Sequence, residues 1–257
     1  MAVPVIEGAD AWRADGDDER GHIGVVVVHG FTGNPVSTRP LGERLHGDGF
    51  TVEVLRLPGH GTSAKDMATT RYADWLAAVE QATDDLTARC DHVVLVGLSM
   101  GGTLCLDVGA RRDVAGVVTI NAQVLDPDGI VARFAGILQH LIPMVPAKVA
   151  GVAEDDIKGG GTEKAYDTVP AKAGYSLTSA LPRVRAQLPQ LTAPALVCWS
   201  TEDHTVPPKN SRTLVDLLPG DVRTLELANS YHVATLDLDQ DLLFSTISDF
   251  VTEVTGG

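Results

Sequence analysis

The stretch "VVLVGLSMGGTLCL", Val93–Leu106, passes from an apolar β-type run into a helical one through Gly97-Leu98-Ser99-Met100-Gly101. This is a G-x-S-x-G pattern in the strand–turn–helix context that gives the pattern meaning. A sharp strand-to-helix turn forces its serine into a strained backbone conformation with Oγ pointing outward. The residues two positions away on either side must then be small, or their side chains would collide. The helix that follows offers backbone N–H groups and a positive dipole end to a developing oxyanion. An ordinary strand–helix turn would not need a hydroxyl hemmed in by Gly97, Gly101 and Gly102. The stretch therefore reads as the setting of a nucleophile, Ser99.

Outward from this turn, short β-type runs alternate with helical patterns. "IGVVVVHG" (Ile23–Gly30), "TVEVLRL" (Thr51–Leu57), "HVVLVG" (His92–Gly97), "VAGVVTIN" (Val114–Asn121), "PALVCWS" (Pro194–Ser200) and "VRTLELA" (Val222–Ala228) read as strands. Continuous β-branched runs such as Val25–Val28 belong to strands covered on both faces. Helices are expected from near Pro40, capped by Ser37 and ended by Gly47 or Gly49, over Tyr72–Arg89 and Met100–Arg111, and over Asn210–Leu218 and Asp239–Val254. The alternation implies an α/β fold, a mostly parallel sheet with helices on both faces. The interval from Ala122 to Arg185 breaks the rhythm with a helical segment "IVARFAGILQHLI", two prolines, an acidic patch and Gly159-Gly160-Gly161. We expect 1–121 and 186–257 to form the core and 122–185 a cap inserted over the carboxyl ends of the strands, where ligands bind in such folds.

A serine needs a base, and the base needs an orienting acid. In this strand–turn–helix setting the chain order is serine, then acid, then histidine. His232, in "NSYHVATLD" after the last strand, is placed to be the base. Asp203, in "STEDHTVPP" after the preceding strand, is placed to hold its Nδ1–H. Glu202 and His204 are the adjacent competitors, and only one carboxylate of the pair should face the histidine. Two backbone amides, those of Phe31 in "HGFTGNP" and of Met100, are expected to form the oxyanion hole, with Gly30 and Gly33 permitting the tight turn. His29 and His60 read as braces of glycine-rich turns. No cluster has metal-ligand spacing, and the chemistry needs neither a metal nor another cofactor.

The chain has 257 residues and a net charge of −14, which repels nucleic acid at long range. Its three cysteines, Cys90, Cys105 and Cys198, show no C-x-x-C spacing. The first twenty residues lack the basic start and apolar run of a signal peptide. No apolar stretch reaches the roughly 20 residues needed to span a bilayer. These features imply a reduced, cytoplasmic protein without a transmembrane segment.

Together, "VVVVHGFTG", "RLPGHGTS", "VGLSMGG", "EDHTVPP" and "NSYHVATLD" resemble the α/β-hydrolase superfamily along nearly the whole chain. The last three, with "DMATTRYADWLAAVE", most resemble bacterial monoacylglycerol lipases and related carboxylesterases. The resemblance implies a serine hydrolase that releases fatty acid and glycerol through an acyl-enzyme on Ser99, Asp203 and His232. It also implies that Glu163, in "TEKAYDTVP", contacts the glycerol head group; from its surroundings alone Glu163 reads as a solvated loop residue. In the cap, Ile137 and Leu141 belong to an apolar series at helical spacing, with Ile130, Phe134, Leu138, Ile142, Met144 and Val145. That series would line an acyl site and touch a lipid surface transiently, or would simply pack on the body. A carboxylesterase for short or medium acyl esters, or an acyltransferase, shares every catalytic residue. A non-catalytic ligand-binding protein of this fold would be expected to lose one of the three.

Overall fold

The computed structural model describes residues 3–127, 130–150 and 156–256, with only the backbone described over 130–134. Seven strands form one sheet in the order β1 (Trp12–Ala14), β3 (Thr51–Leu55), β2 (Ile23–Val28), β4 (His92–Leu98), β5 (Gly116–Ile120), β8 (Ala195–Ser200), β9 (Val222–Leu227). β1 runs antiparallel to β3, and every other pairing in the sheet is parallel. A second, two-stranded antiparallel sheet joins β6 (Met144–Pro146) to β7 (Thr168–Pro170). The helices are α1 (Arg39–Gly47), α2 (Ala64–Met67), α3 (Tyr72–Thr87), α4 (Met100–Gly109), α5 (Ile130–Leu141), α6 (Ala171–Gln187), α7 (Lys209–Leu217) and α8 (Gln240–Thr255).

The apolar runs are continuous because both faces of each central strand are covered. Val26, Val28, Leu95, Val117 and Val197 point into a layer with Trp75, Leu104, Val184 and Leu214, from α3, α4, α6 and α7. Their neighbours Val25, Val27, Val94, Val96, Val118 and Cys198 point the other way, onto Leu41, Leu45, Ile247 and Val251 of α1 and α8. Period-2 alternation thus fills two cores from one run of valines. Each such side chain contributes roughly 1.5–3 kcal/mol on full burial.

The principal strands and helices start and stop within about three residues of the sequence reading. Ser37 is an exception: it lies in a 3-10 turn, Pro35–Ser37, capped by the Asn34 side chain, and Thr38 is the N-cap of α1. Gly49, with φ +100°, lets the chain turn so that the Phe50 amide bonds the Leu45 carbonyl. The short β1, β6, β7 and α2 are not visible as periodic patterns. α6 is the larger difference. It runs through the expected boundary at 185/186 and packs on the body, burying Ala173, Leu177, Ala180, Leu181 and Val184. Its Arg183 makes a bidentate bond, 3.1 and 2.7 Å, to the fully buried Asp107 of α4. Tyr72 of α3 donates its hydroxyl to the same carboxylate at 2.8 Å. A buried carboxylate requires such partners, and these tie α6 and α3 to α4.

The segment 156–166 is bonded to loops that follow four strands. Asp156 and Lys158 meet the loops after β8 and β9, Glu163 and Lys164 meet the loop after β2, and Tyr166 meets the loops after β2 and β3. This segment therefore lies over the carboxyl edge of the sheet.

Candidate active site

Ser99 has φ +54° and ψ −120°, a conformation that a residue with a Cβ adopts only under constraint. The constraint comes from both sides of the turn. A Cβ on Gly97 would lie 2.2 Å from the Gly101 carbonyl carbon, and one on Gly101 would lie 2.2 Å from the Val28 carbonyl oxygen. Helix α4 can approach the ends of β4 and β2 this closely only where neither position carries a side chain. The Ser99 amide donates to the Ile120 carbonyl at 2.8 Å, which fixes the turn on the end of β5. The half-buried Ser99 side chain faces the loop after β2: a Cβ on Gly30 would lie 3.7 Å from its Oγ. Met100 opens α4, so its amide has no carbonyl partner within the helix.

His232 is buried and its Nδ1 lies 2.8 Å from Asp203 Oδ2. The other carboxylate oxygen, Oδ1, accepts the amides of Thr205 at 2.8 Å and Val206 at 2.7 Å. Asp203 is therefore fixed by its own loop, and its aim at the histidine is set by the backbone. The neighbours turn elsewhere. Glu202 is exposed and pairs with Lys158 at 3.0 Å, and the His204 ring pairs with Asp156 at 2.8 Å. The Nδ1–H donor role leaves Nε2 of His232 as the basic nitrogen.

The loop His29–Asn34 holds its shape differently from the sequence expectation. Its positive φ is at Thr32 (+63°), not at Gly30 or Gly33. The two glycines serve close approach instead: Gly30 lies against Ser99, and a Cβ on Gly33 would come within 2.9 Å of Glu163 Oε2. Phe31 stacks edge-on against Trp75 and His60. His29 is fully buried, donating from Nδ1 to the Gly30 carbonyl and accepting the Leu57 amide at Nε2. Burial pushes its pKa down to about 4, so it is a neutral brace. Burial likewise holds His60 well below the ordinary range.

Glu163 is not a solvated loop residue. It is 8% exposed, its carboxylate lies against Gly33, and its backbone carbonyl accepts the Asn34 side-chain amide at 2.9 Å. Ile137 and Leu141 lie on the outer face of α5, 63% and 72% exposed, and Ile142 is exposed beside them. The side chains of Ile130 and Phe134 lie outside the described residues. Among the described residues, no group of three or more His, Cys, Asp or Glu side chains is set to hold a metal ion.

Burial pushes the His232 imidazolium down, but Asp203, then Glu163 and Asp156, more than offset it and hold the pKa above the ordinary histidine value. A general base must be neutral, so with His232 as the base activity would be lost as pH falls through that value. The acid limb of kcat/KM is therefore expected above pH 6.5, the ordinary histidine value. Glu163→Gln removes one of the three anions and should move the limb to lower pH. A limb below 6.5 in the wild type, or one that the variant leaves in place, would contradict this account.

Several residues around His232 carried no sequence signal of their role. Asn121, with φ +49°, donates its side-chain amide to the His232 carbonyl at 2.7 Å and accepts the Ser200 amide at 2.8 Å. It follows Ile120, whose carbonyl holds Ser99, so one strand end positions both residues. Asp237 accepts the amides of Tyr231, Lys158, Gly159 and Leu238. Burial raises its carboxyl, and those four donors hold it below the usual carboxylate range. Asp239 accepts the Asn229 amide and the Ser230 hydroxyl. Buried Asn and Asp in loops with such local bonds are legible only once the loops are placed.

This arrangement brings a strained serine, a carboxylate-oriented histidine and a buried second carboxylate to one edge of the sheet. The His232–Asp203 pair is joined directly by a hydrogen bond, and a hydroxyl with an oriented imidazole is the residue set that base-assisted nucleophilic chemistry requires. Comparison with known proteins gives the family. Residues 22–239 match the model of a family described as "Serine aminopeptidase, S33". The chain is 37% identical over 255 residues to a thermostable monoacylglycerol lipase of Bacillus sp. (strain H-257), covering 98% of each chain. It is 25% identical over 232 residues to a carboxylesterase of Bacillus subtilis (strain 168), covering 90% of this chain and 92% of the relative. Among solved structures, one from work on two metagenome-derived lipolytic enzymes superposes with a TM-score of 0.90 at 35% identity, covering 97% of this chain and 100% of the other. A monoacylglycerol lipase of Paleococcus ferrophilus shares the fold, with a TM-score of 0.78 at 21% identity, covering 95% and 99%.

Proposed function

The chain belongs to this serine hydrolase family, within the α/β-hydrolase superfamily, and on that premise we propose that it is an esterase that cleaves monoacylglycerols to fatty acid and glycerol. The observation that carries the chemistry is the buried His232–Asp203 pair at 2.8 Å. His232 Nε2 takes the Ser99 proton as Oγ attacks the ester carbonyl. The amides of Phe31 and Met100 receive the developing oxyanion. His232 then gives its proton to the departing glycerol oxygen, and the same ring activates the water that releases the acid.

Residues 122–185 act as a cap, with α6 as its anchor on the body. Glu163, buried beside Gly33, accepts hydrogen bonds from the hydroxyls of the glycerol head group. Ile137 and Leu141 offer an apolar face to the acyl chain or, transiently, to the lipid surface that delivers it. No helix among the described residues is long and apolar enough to cross a membrane. The three free cysteines are buried, which fits a reducing cytoplasm as the place of action.

The test is a rate panel on mono-, di- and trioleoylglycerol, short p-nitrophenyl esters and an aminoacyl anilide. Turnover among the glycerides is expected to be confined to the monoglyceride. Glu163→Ala should lower monoglyceride turnover at least about tenfold while changing p-nitrophenyl butyrate turnover less than about threefold. Activity on short esters alone would favour the carboxylesterase reading. Equal loss on both substrates, or none, would remove the head-group role of Glu163.

A further inference from the structure

Asp156 belongs to the insertion, yet its side chain is only 8% exposed and is directed at the two loops that carry Asp203 and His232. Its Oδ2 accepts the backbone amide of His204 at 3.2 Å and that of His232 at 3.3 Å. Its Oδ1 accepts the His204 ring Nδ1–H at 2.8 Å. Its own carbonyl accepts the Val233 amide at 3.1 Å. One carboxylate thus bridges the residue after the proposed acid and the proposed base itself. His232 is thereby held at both backbone poles, its N–H by Asp156 and its C=O by Asn121.

The neighbouring residues reinforce the bridge. Lys158 pairs with Glu202 at 3.0 Å on one loop and stands over the Tyr231 ring on the other. The amides of Lys158 and Gly159 bond the Asp237 carboxylate, which also accepts the Tyr231 amide. The His204 ring, half exposed, packs edge-on against Tyr231 with centroids 4.5 Å apart. The charged groups facing His204 are Asp156, Glu202 and Asp203. Those facing His232 are Asp203, Glu163 and Asp156.

We propose that Asp156 is a positioning residue that couples the insertion to catalysis: by bridging the loops of Asp203 and His232, it makes the alignment of the base depend on the seated end of the cap. The inference rests on the assignment of Ser99, Asp203 and His232 as the catalytic set. It is independent of which ester is cleaved. Asp156 touches no reacting atom, and its effect passes through the His232 backbone.

The two obvious substitutions separate alignment from charge. Asp156→Ala removes both amide bonds, and a displacement of the base by a fraction of an ångström to 1 Å costs about tenfold to a hundredfold in rate. Asp156→Asn keeps a carbonyl oxygen for the two amides and turns its NH₂ to the His204 ring, whose Nδ1 then accepts. It retains the bridge and loses the negative charge.

The experiment measures kcat, KM and the pH profile on p-nitrophenyl butyrate, with the rate of Ser99 labelling by a fluorophosphonate probe, for wild type and both variants. D156A is expected to lose kcat and labelling rate together by about tenfold to a hundredfold, with KM within about twofold. D156N should recover kcat to within about threefold of wild type at alkaline pH, and its acid limb should lie lower. Rates are expressed per folded molecule, from the amplitude of the thermal transition. The proposal falls if D156A keeps kcat within twofold, if it raises KM alone, or if D156N loses as much as D156A. A wild type that neither turns over esters nor labels at Ser99 would instead overturn the catalytic assignment itself.

Discussion

Replacing Ser99 by alanine is expected to lower kcat on a monoacylglycerol about 10⁶-fold while leaving the fold intact. The two halves of this expectation have separate causes. The rate loss follows because no other hydroxyl is placed on the turn between β4 and α4, and because His232 without a nucleophile can only assist water. A residual acceleration of about 10³–10⁴ over solution remains from the oxyanion amides and substrate binding. The stability half follows from the backbone. The strain at φ +54° belongs to any residue with a Cβ, and the Ser99 side chain makes no capping bond to α4. Alanine therefore inherits the strain and forfeits no bond of the helix terminus, and Tm should move by less than about 2 °C. Ser99→Gly, equally inactive, should melt higher, because the strain is of order 1–3 kcal/mol and glycine does not incur it. Steady-state kinetics and thermal unfolding on the same preparations check both halves. An alanine variant with more than about one per cent of wild-type kcat would exclude Ser99 as the nucleophile.

The fold could be read from the valine runs because each central strand is buried on both faces, leaving a continuous apolar signature bounded by glycine and proline. The turn at Ser99 was legible for a stricter reason: a Cβ at position 97 or 101 would fall 2.2 Å from a backbone atom, which leaves glycine as the only residue there. α6 was hidden by Pro182, Gly174, Ser176, Thr178 and Ser179, all of them weaker helix formers than alanine or leucine. It is held by tertiary contacts, with Leu177, Leu181 and Val184 in the core and Arg183 on Asp107. The burial of Glu163 was equally out of reach, since it depends on Gly33, 130 residues earlier, leaving room for a carboxylate. Asn121 is legible only as a polar residue at a strand end, and Asp156 and Asp237 only as polar residues in loops. Their roles arise from loops brought together by the sheet order, and local sequence does not encode that adjacency.

Asp203→Asn is expected to lower kcat about 10⁴-fold without displacing a single heavy atom by much. The reason lies in how the carboxylate is divided. Oδ1 accepts two backbone amides, from Thr205 and Val206, at 2.8 and 2.7 Å. An asparagine must keep its carbonyl oxygen at that position, because an NH₂ group there would face two donors with no acceptor. Its NH₂ is therefore turned toward His232 and donates to Nδ1. The imidazole must then carry its proton on Nε2, the nitrogen that should receive the Ser99 proton. The base is present, buried and aligned, but in the wrong tautomer. The lost anion also removes the largest charge that raises the His232 pKa against its burial, so the little activity that remains should show its acid limb at lower pH. Asp203→Ala acts differently. It strands the Thr205 and Val206 amides, at about 1–3 kcal/mol for each unsatisfied group, and so lowers Tm as well as kcat. The asparagine variant thus separates catalysis from folding: its melting temperature should stay near that of the wild type, its fluorophosphonate labelling should slow with kcat, and the ring nitrogen NMR shifts of His232 should report the exchanged tautomer. An asparagine variant that keeps more than a tenth of wild-type kcat would mean that His232 is oriented by something other than Asp203.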